Sequence, residues 1–232
     1  MRFSDSHHFR KMVAGCCMVA GPLFILVAFV VGPDLRTDAG EQMAAIASDL
    51  DGTIAAALFS MAAVALMLGA TLGLMHMLRE RMVAYGHVGG AMALLGLVAV
   101  AAQFGTFMLA WQMAADGVQA TDVAAYDGLI SSTAGVIALQ IVGFVGIAGF
   151  VVLAAGLYRA HAVDWWMAAC LAVGAVLIAL ATPFESIALG VVASAILAIG
   201  LGSMGMMVLR ETDAEWEHTP EYGGFRPSLH MR

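Results

Sequence analysis

Two glutamines inside long apolar segments are the residues of this chain best suited to bind a ligand. Gln103 and Gln140 lie in consecutive apolar runs, each about 17 Å from the same predicted end of its helix. Thr106 and Thr133 extend the two helix faces toward that end, where Gln112 also lies. An amide in an apolar segment needs a hydrogen-bonding partner. The pattern therefore predicts either a hydrogen bond between the two helices or a polar-lined pocket for a small neutral or lipophilic ligand.

Three histidines near one boundary of the predicted helices suggest a metal or haem site. His76 lies in the last turn of an apolar run, and His87 and His161 lie in short polar connections. Neutral imidazole nitrogens bind b-type haem and many metals. Haem ligands normally face one another across a bundle, whereas two of these residues are in loops. We therefore expect histidines that titrate at an interface, with haem b ligation as the alternative.

Sulfur-containing residues raise the question of copper. The chain has 17 Met and 3 Cys, including Cys16 beside Cys17 and the run Met75-His76-Met77. Soft sulfur ligands select Cu(I). The methionines are scattered and form no Met-x-x-Met ladder, so we expect them to fill gaps in a hydrophobic core. A Cu(I) site is the alternative.

Several kinds of chemistry have no residues to support them. No Asp, Glu, Lys or Arg lies deep within any apolar run. Intramembrane charges are typical of ion-coupled and proton-coupled transporters, so their absence argues against that class. The sequence also contains no Ser/His/Asp set and no phosphate-binding loop, which leaves no support for an enzyme. It has no basic stripe, so we expect no binding of nucleic acid.

The elements that carry these residues are six long apolar runs. Of the 232 residues, 62% are hydrophobic and 12% are charged, whereas soluble domains have about 25% charged residues. About 20 apolar residues cross a bilayer as a helix. We therefore predict an all-α, polytopic membrane helical bundle between a short N-terminus, 1–11, and a polar tail, 210–232. Its six transmembrane helices are 12–32, 53–78, 88–115, 129–157, 165–181 and 183–209.

Basic residues determine the predicted orientation of this bundle. Of the ten Lys and Arg residues, only Arg36 lies on one side of the predicted membrane. Cytoplasmic connections retain Lys and Arg, so both termini are expected in the cytoplasm of a bacterium, with the bundle in its cytoplasmic membrane. The basic residues on the cytoplasmic side are Arg2, Arg10, Lys11, Arg79, Arg81, Arg159, Arg210, Arg226 and Arg232.

The one long outer connection predicts a short helix over 39–50. Met43, Ile46, Ala47 and Leu50 fall on one apolar stripe at helical spacing. A helix of this kind either lies on the membrane surface or caps the bundle.

The turn before the sixth run predicts a capping box. In the sequence Thr182-Pro183-Phe184-Glu185, Thr182 suits the N-cap, Pro183 the first helical position and Glu185 the third. We expect Arg36 to be the charged partner of Glu185.

Two helical hairpins have similar sequences. Residues 73–97 and 153–177 each contain an apolar helix end, an arginine, a short loop and an Ala/Gly-rich helix. This indicates a duplicated hairpin, related by an axis along the membrane normal. Chance similarity between Ala/Gly-rich segments is the alternative.

Small residues and tail aromatics suggest a surface for a partner. Small residues at every fourth position of the sixth run let another helix approach, either within the chain or from another subunit. The polar tail should not order by itself, and aromatic residues are common interface anchors. The leading hypothesis is therefore a non-catalytic accessory or scaffold subunit of a membrane complex, ahead of a ligand carrier and a haem protein. The residues concerned are Gly190, Ser194, Ala198, Gly202, Trp216, Tyr222 and Phe225.

Three stretches resemble a known group of proteins. They are Gly-Pro-Leu-Phe-Ile-Leu-Val-Ala-Phe at 21–29, Met-Ala-Ala-Ile-Ala at 43–47, and Leu-Arg-Glu-Arg followed by Gly-His-Val-Gly-Gly within 78–90. Together they resemble six-span membrane proteins of unknown function from high-GC Gram-positive bacteria. The resemblance covers most of 12–209 and implies the six-span topology. It implies no activity and no catalytic or ligand-binding residues.

Overall fold

The regular structure of this chain is α-helical. A computed structural model describes residues 6–34 and 36–216. Within these ranges there is no β-strand, so the prediction of an all-α chain is confirmed. The helices are α1 (Ser6–Val31), α2 (Ala39–Ser48), α3 (Leu50–Met77), α4 (Val83–Ala115), α5 (Ala120–Ser132), α6 (Ala134–Arg159), α7 (Trp165–Ala181), α8 (Ile187–Arg210) and α9 (Asp213–Trp216).

Five helices of the described chain, α1, α3, α4, α6 and α8, are long and apolar enough to cross a membrane. The apolar helix α7 has 17 residues. Its length is therefore about 26 Å, slightly less than the roughly 30 Å hydrocarbon core of a bilayer. The chain has the helices of a multi-pass membrane protein.

Six helices form a closed ring in chain order. α1 packs against α3 and α8, α4 packs against α3 and α6, and α7 packs against α6 and α8. We call the end where α1 begins and α8 ends the terminal end, and the opposite end, which carries α2 and α5, the distal end. The hairpins with similar sequences are α3–α4 and α6–α7, which both turn at the terminal end. Their duplication stays a prediction.

Glycines bring neighbouring helices into backbone contact in the terminal half of the ring. Gly96 of α4 lies against Gly146 of α6, and a Cβ atom built on either residue would collide with the backbone of the other. Gly15 of α1 lies against Gly205 of α8, where a built Cβ would be 2.7 Å from the Gly15 carbonyl oxygen. Small residues allow membrane helices to approach in this way.

Large apolar side chains fill the remaining space of the terminal half. They come from α1, α3, α6, α7 and α8 and are almost completely buried. This half of the bundle is therefore a close-packed core. Its largest buried side chains include Met18, Leu74, Met77, Leu153, Leu157, Leu171, Leu201, Met204 and Val208.

At the distal end, α2 lies on α4 and α5 as a cap. Met43 and Ile46 of α2 are completely buried, and they pack in one cluster with Tyr126 of α5. Burial raises the pKa of Tyr126. Asp38 begins α2 by accepting a hydrogen bond from the Glu41 amide at 2.9 Å. The helix predicted over 39–50 thus corresponds to α2, which ends at Ser48. Met43 and Ile46 of its apolar stripe face protein, whereas Ala47 is exposed and Leu50 begins α3.

The predicted helix 129–157 is divided in the structure. Its first residues belong to α5, a helix that the sequence analysis did not foresee, and α6 begins only after Thr133. Thr133 is extended, with ψ of 112°, and occupies the N-cap of α6. The Thr133 side chain forms no cap hydrogen bond. The run Ser131-Ser132-Thr133 interrupts the apolar sequence at this break.

The predicted capping box at 182–185 is wrong. α8 begins at Ile187, and the Ser186 Oγ atom caps it by accepting a hydrogen bond from the Leu189 amide at 3.2 Å. The Glu185 carboxylate instead accepts hydrogen bonds from the hydroxyl and, at 2.8 Å, the amide of Thr37. These bonds, the hydroxyl first, hold the pKa of Glu185 below its ordinary value.

The contact between α4 and α6 leads to a stability prediction. We expect Gly96→Ala to lower the free energy of unfolding by about 1–3 kcal/mol, because the added methyl group overpacks the contact with Gly146. Gly105→Ala in the same helix is the matched control, since nothing lies within 4 Å of a Cβ built there. Thermal unfolding in detergent measures both. Equal effects would contradict the close contact.

Candidate functional site

The distal half of the ring contains a half-open chamber of about 790 Å³. Residues from all six ring helices line it. Thr37 and Gln42 border its distal end, and Ala93, Phe150 and Leu197 belong to its deepest wall. Pockets for small molecules usually measure about 300–1,000 Å³, so this chamber has the size of a ligand site.

The chamber exists because its inward-facing residues are too short to meet across the ring. The wall contributed by α3 and α7 includes Ala56, Ala63, Ala175 and Ala179. Helices opposite one another in the ring, such as α1 and α6, make no extensive contact within the described chain. The space along the axis is therefore left open in the distal half.

The wall of the chamber is mostly apolar. Among the described residues that line it, none is Asp, Glu, Lys, Arg or His. The chamber is therefore electrically neutral as well as apolar. Its aromatic side chains are Phe29, Phe107, Phe144 and Phe150, and its polar side chains are Thr37, Gln42, Ser60, Gln103, Gln140 and Thr182.

Both intramembrane glutamines face this chamber from the adjacent helices α4 and α6. In the described chain, neither side-chain amide forms a hydrogen bond, so the bond predicted between Gln103 and Gln140 is not formed. Gln103 Nε2 lies beside Gly143, 3.9 Å from where a Cβ atom would be. The two amides thus present their hydrogen-bonding groups to the chamber.

Five polar residues were predicted to line a pocket. Of these, only the two glutamines line the chamber. The Thr106 hydroxyl donates to the carbonyl of Gln103 in its own helix at 2.7 Å. Gln112 Nε2 donates to Asp116 Oδ2 at 3.1 Å, near the distal end of α4. Thr133 occupies the N-cap position of α6, but its side chain forms no cap hydrogen bond. These three residues therefore lie outside the chamber, and Thr106 and Gln112 bond within α4 or to its end.

The mouth of the chamber contains residues that the sequence analysis missed. Gln42 Oε1 accepts a hydrogen bond from the Arg36 amide at 3.0 Å, and the Thr37–Glu185 bonds link the α1–α2 connection to the α7–α8 turn. Arg36 forms ion pairs with Asp34, at 3.2 Å, and with Glu41. The charge of Arg36 also helps to lower the pKa of Glu185, after the hydrogen bonds from Thr37, so the predicted interaction of Arg36 with Glu185 is present as a weaker one. These residues lie in connections, whose position over the ring has no local sequence signal.

The three histidines predicted to hold haem or a metal have separate surroundings. His87 Nδ1 donates to the Val83 carbonyl of its own helix at 2.9 Å. His161 is exposed with φ of 53°, and its ring lies near that of Tyr158. His76 stacks on another aromatic ring, as described below. The structure therefore does not assemble them into one site.

Metal-ligating side chains are not grouped elsewhere in the part that the structure describes. No set of three or more His, Cys, Asp or Glu residues there is arranged to hold a metal ion. Cys17 is buried in the α1–α3 contact, where its Sγ atom would lie 2.6 Å from a Cβ built on Gly69. Cys16 is exposed on α1. The Cu(I) alternative thus gains no support.

The beginning of the tail docks on the terminal end of its own chain. Trp216 is only 3% exposed, and its ring stacks on His76 with 4.4 Å between the centroids. Lys11, which is buried, donates to the Glu211 carbonyl at 2.9 Å and pairs with Asp213. Trp216 is therefore part of this chain's core and not a free anchor for a partner. The other predicted anchors, Tyr222 and Phe225, lie outside the described residues.

The small-residue ridge of α8 is divided between two environments. Gly190 and Ser194 are buried in the chain, and a Cβ built on Gly190 would lie 2.5–2.9 Å from atoms of the Phe29 ring. Ala198 and Gly202 are partly exposed, and nothing lies within 4 Å of a Cβ built on Gly202. Each step of four residues rotates the side-chain direction by about 40°, so these residues cannot share one face.

Comparisons with known proteins provide no relative for this chain. No protein-family model matches it, and no curated protein and no solved structure matches it. The function of the chamber must therefore follow from its own geometry and chemistry.

The docked tail leads to a prediction about pH. Hydrogen bonds from Lys11 first, and then from His8, hold the pKa of Asp213 below its ordinary value. This contact therefore stabilises the fold above the ordinary Asp pKa of about 3.9 and is lost as the pH falls through the lower, folded value. We expect Asp213→Asn to lower the unfolding temperature at pH 7. The difference from wild type should shrink in acid, where both side chains are neutral.

A matched control for this test is Asp164→Asn at the same end of the bundle. The Asp164 side chain forms no cap hydrogen bond to α7. Its replacement should therefore produce no comparable pH-dependent difference in unfolding temperature. A difference between Asp213→Asn and wild type that stays constant from pH 7 into acid would contradict the proposed ion pair.

Proposed function

We propose that this chain is a membrane carrier or receptor that binds a small lipophilic molecule in its central chamber. The observation that supports this proposal is an apolar chamber of about 790 Å³ beside a close-packed terminal half. Atoms that line an empty apolar space lose dispersion contacts, and a bound apolar molecule restores them. Transfer of such a molecule from water to this wall is also favoured by the hydrophobic effect.

The closed terminal half favours a binding function over a channel. Gly15 against Gly205 leaves no space between α1 and α8 at that level. Leu74, among other buried side chains, fills the adjoining interior. A ligand in the chamber can therefore leave only by the distal end or between helices, unless the bundle changes conformation.

The proposal includes a six-span topology in a bacterial cytoplasmic membrane. All six ring helices cross the bilayer in this arrangement, including the shorter α7. Arg79, Arg81 and Arg159 lie in or beside the terminal-end connections, whereas Arg36 lies at the distal end. By the positive-inside rule both termini are cytoplasmic and the mouth of the chamber faces outward.

An accessory role in a membrane complex is our second proposal. It is supported by Ala198 and Gly202, which remain partly exposed on α8 and would admit a helix of another subunit. The burial of Gly190, Ser194 and Trp216 within the chain places it behind the ligand-binding proposal.

Photolabelling tests the binding proposal. A diazirine derivative of hexadecane, which has no polar group, should label α4 and α6 in membranes, and unlabelled hexadecane should suppress this labelling. We expect Gly143→Leu to abolish the suppressible labelling. A side chain at this position extends into the chamber, where a Cβ has room beside Gln103 Nε2 at 3.9 Å. Mass spectrometry of the labelled peptides provides the measurement.

Gly135→Leu is the matched control for this experiment. Gly135 lies on the same helix, nothing is within 4 Å of a Cβ built there, and it does not line the chamber. This variant adds the same side chain and should label as the wild type does. Suppressible labelling that survives equally in both variants would refute binding in the chamber.

Cysteine accessibility tests the topology. A cysteine that replaces Asp122, in α5 at the distal end, should react with an impermeant thiol reagent added to intact cells. One that replaces Asp164, at the terminal end, should react only after the cells are opened. Replacement of Cys16, Cys17 and Cys170 by Ser provides a background without native thiols. The reverse pattern would invert the proposed orientation.

A further inference from the structure

We infer that the chamber takes an uncharged amphiphile whose carbonyl or hydroxyl group forms hydrogen bonds with the amides of Gln103 and Gln140. This inference names the ligand class and rests on the proposed binding function. It follows from three features of the chamber: the unbonded amides, the neutral wall, and the apolar space beneath the amides.

The first feature is the position of the two amides. Gln140 is exposed, about 9 Å from the start of α6, and it lines the chamber together with the half-buried Gln103. Each amide offers both donors and an acceptor. Neither group has a protein partner within the described chain. An amide beside an apolar wall gains from a hydrogen-bonding partner, so a ligand with such a group at this level is favoured.

The polar groups at the mouth of the chamber differ from the two glutamine amides because they already form hydrogen bonds within the protein. The Thr37 hydroxyl donates to Glu185, and Gln42 Oε1 accepts from the Arg36 amide. These bonds hold the connections of the distal end together. The amides of the glutamine pair, with the hydroxyls of Ser60 and Thr182, are thus available to bind a polar group of the ligand, and the two amides lie on adjacent helices.

The second feature, the neutral wall of the chamber, excludes a charged ligand group beside the two amides. No charged side chain of the described residues lines the chamber. A carboxylate or an ammonium group there would lose its hydration without an opposite charge to compensate, at a cost that far exceeds that of a neutral group. Asp34 and Arg36, near the mouth, pair with each other at 3.2 Å. The selected group is therefore a neutral one.

The third feature provides space for the apolar part of the ligand. On the terminal side of the amides the wall consists of residues such as Met67, Ala93, Gly146, Phe150 and Leu197. None of these side chains forms hydrogen bonds. An amphiphile therefore has its polar group at the glutamines and its hydrocarbon portion directed toward the terminal end. Burial of that portion provides the affinity, and the amides provide the selectivity.

Competition against the hexadecane photoprobe tests this inference in the full-length protein in membranes. Hexadecanol and methyl hexadecanoate are the neutral competitors, and hexadecanoate and hexadecyltrimethylammonium are the charged ones, all compared at equal membrane concentrations at pH 8. We expect the neutral competitors to suppress labelling at concentrations about tenfold lower than hexadecane and about a hundredfold lower than the charged compounds.

Variants of the amides provide the second measurement. Gln103→Leu and Gln140→Leu should each weaken competition by hexadecanol about fivefold, while labelling by the hexadecane probe itself persists. Gln112→Leu is the matched control, because Gln112 bonds to Asp116 and does not line the chamber. Its competition curve should equal that of the wild type. Thermal unfolding establishes that each variant is folded.

The outcomes separate this inference from the proposed function. If hexadecanoate competes as well as hexadecanol, or if the two amide variants retain wild-type competition, the neutral-amphiphile inference is overturned although the chamber binds lipophilic molecules. If the hexadecane probe shows no suppressible labelling in the wild type, the binding function itself fails. The inference is supported if neutral competitors suppress labelling more strongly than charged ones. This difference must also depend on both glutamines and not on Gln112.

Discussion

Backbone contact between helices at glycines is the interaction on which the rest of this structure depends. Gly96 with Gly146 and Gly15 with Gly205 bring neighbouring helices together in the terminal half. Where no large side chain separates two helices, van der Waals packing can hold them together in a lipid bilayer, which provides no hydrophobic driving force. This contact fixes the ring in one half. In the other half the inward-facing residues are too short to fill the axis, and a chamber remains.

The chamber and its cap form one functional arrangement. The helix α2 is held over the distal end by Met43 and Ile46, which are buried against α4 and α5. The Thr37–Glu185 hydrogen bonds connect the border of the mouth to the α7–α8 turn. Charged groups near the chamber thus lie at its rim, where Arg36 pairs with Asp34 and Glu41. The interior is left to apolar side chains and two amides, which is suited to neutral ligands.

Burial of the first tail residues weakens the accessory-subunit hypothesis relative to the ligand-binding hypothesis. Trp216 was expected to be an anchor for a partner, because an isolated polar tail has no apolar surface of its own to bury. In the structure this ring finds a partner in His76, and Lys11 binds the adjoining Glu211 carbonyl. The tail signal is therefore explained within the chain, whereas the chamber has no internal explanation.

The sequence by itself determined the helical fold, because composition and apolar run length depend only on local residues. It also determined the short helix near 39–50, which the structure has as α2. The predicted equal depth of Gln103 and Gln140 is wrong, because α6 begins only at Ala134 and Gln140 is therefore closer to the distal end. Tertiary structure alone decided that these amides face a chamber and do not bond to each other. The separation of two helix axes depends on which small residues meet across them, and contact pairs such as Gly96 with Gly146 are distant in sequence. Local patterns carry no measure of that distance.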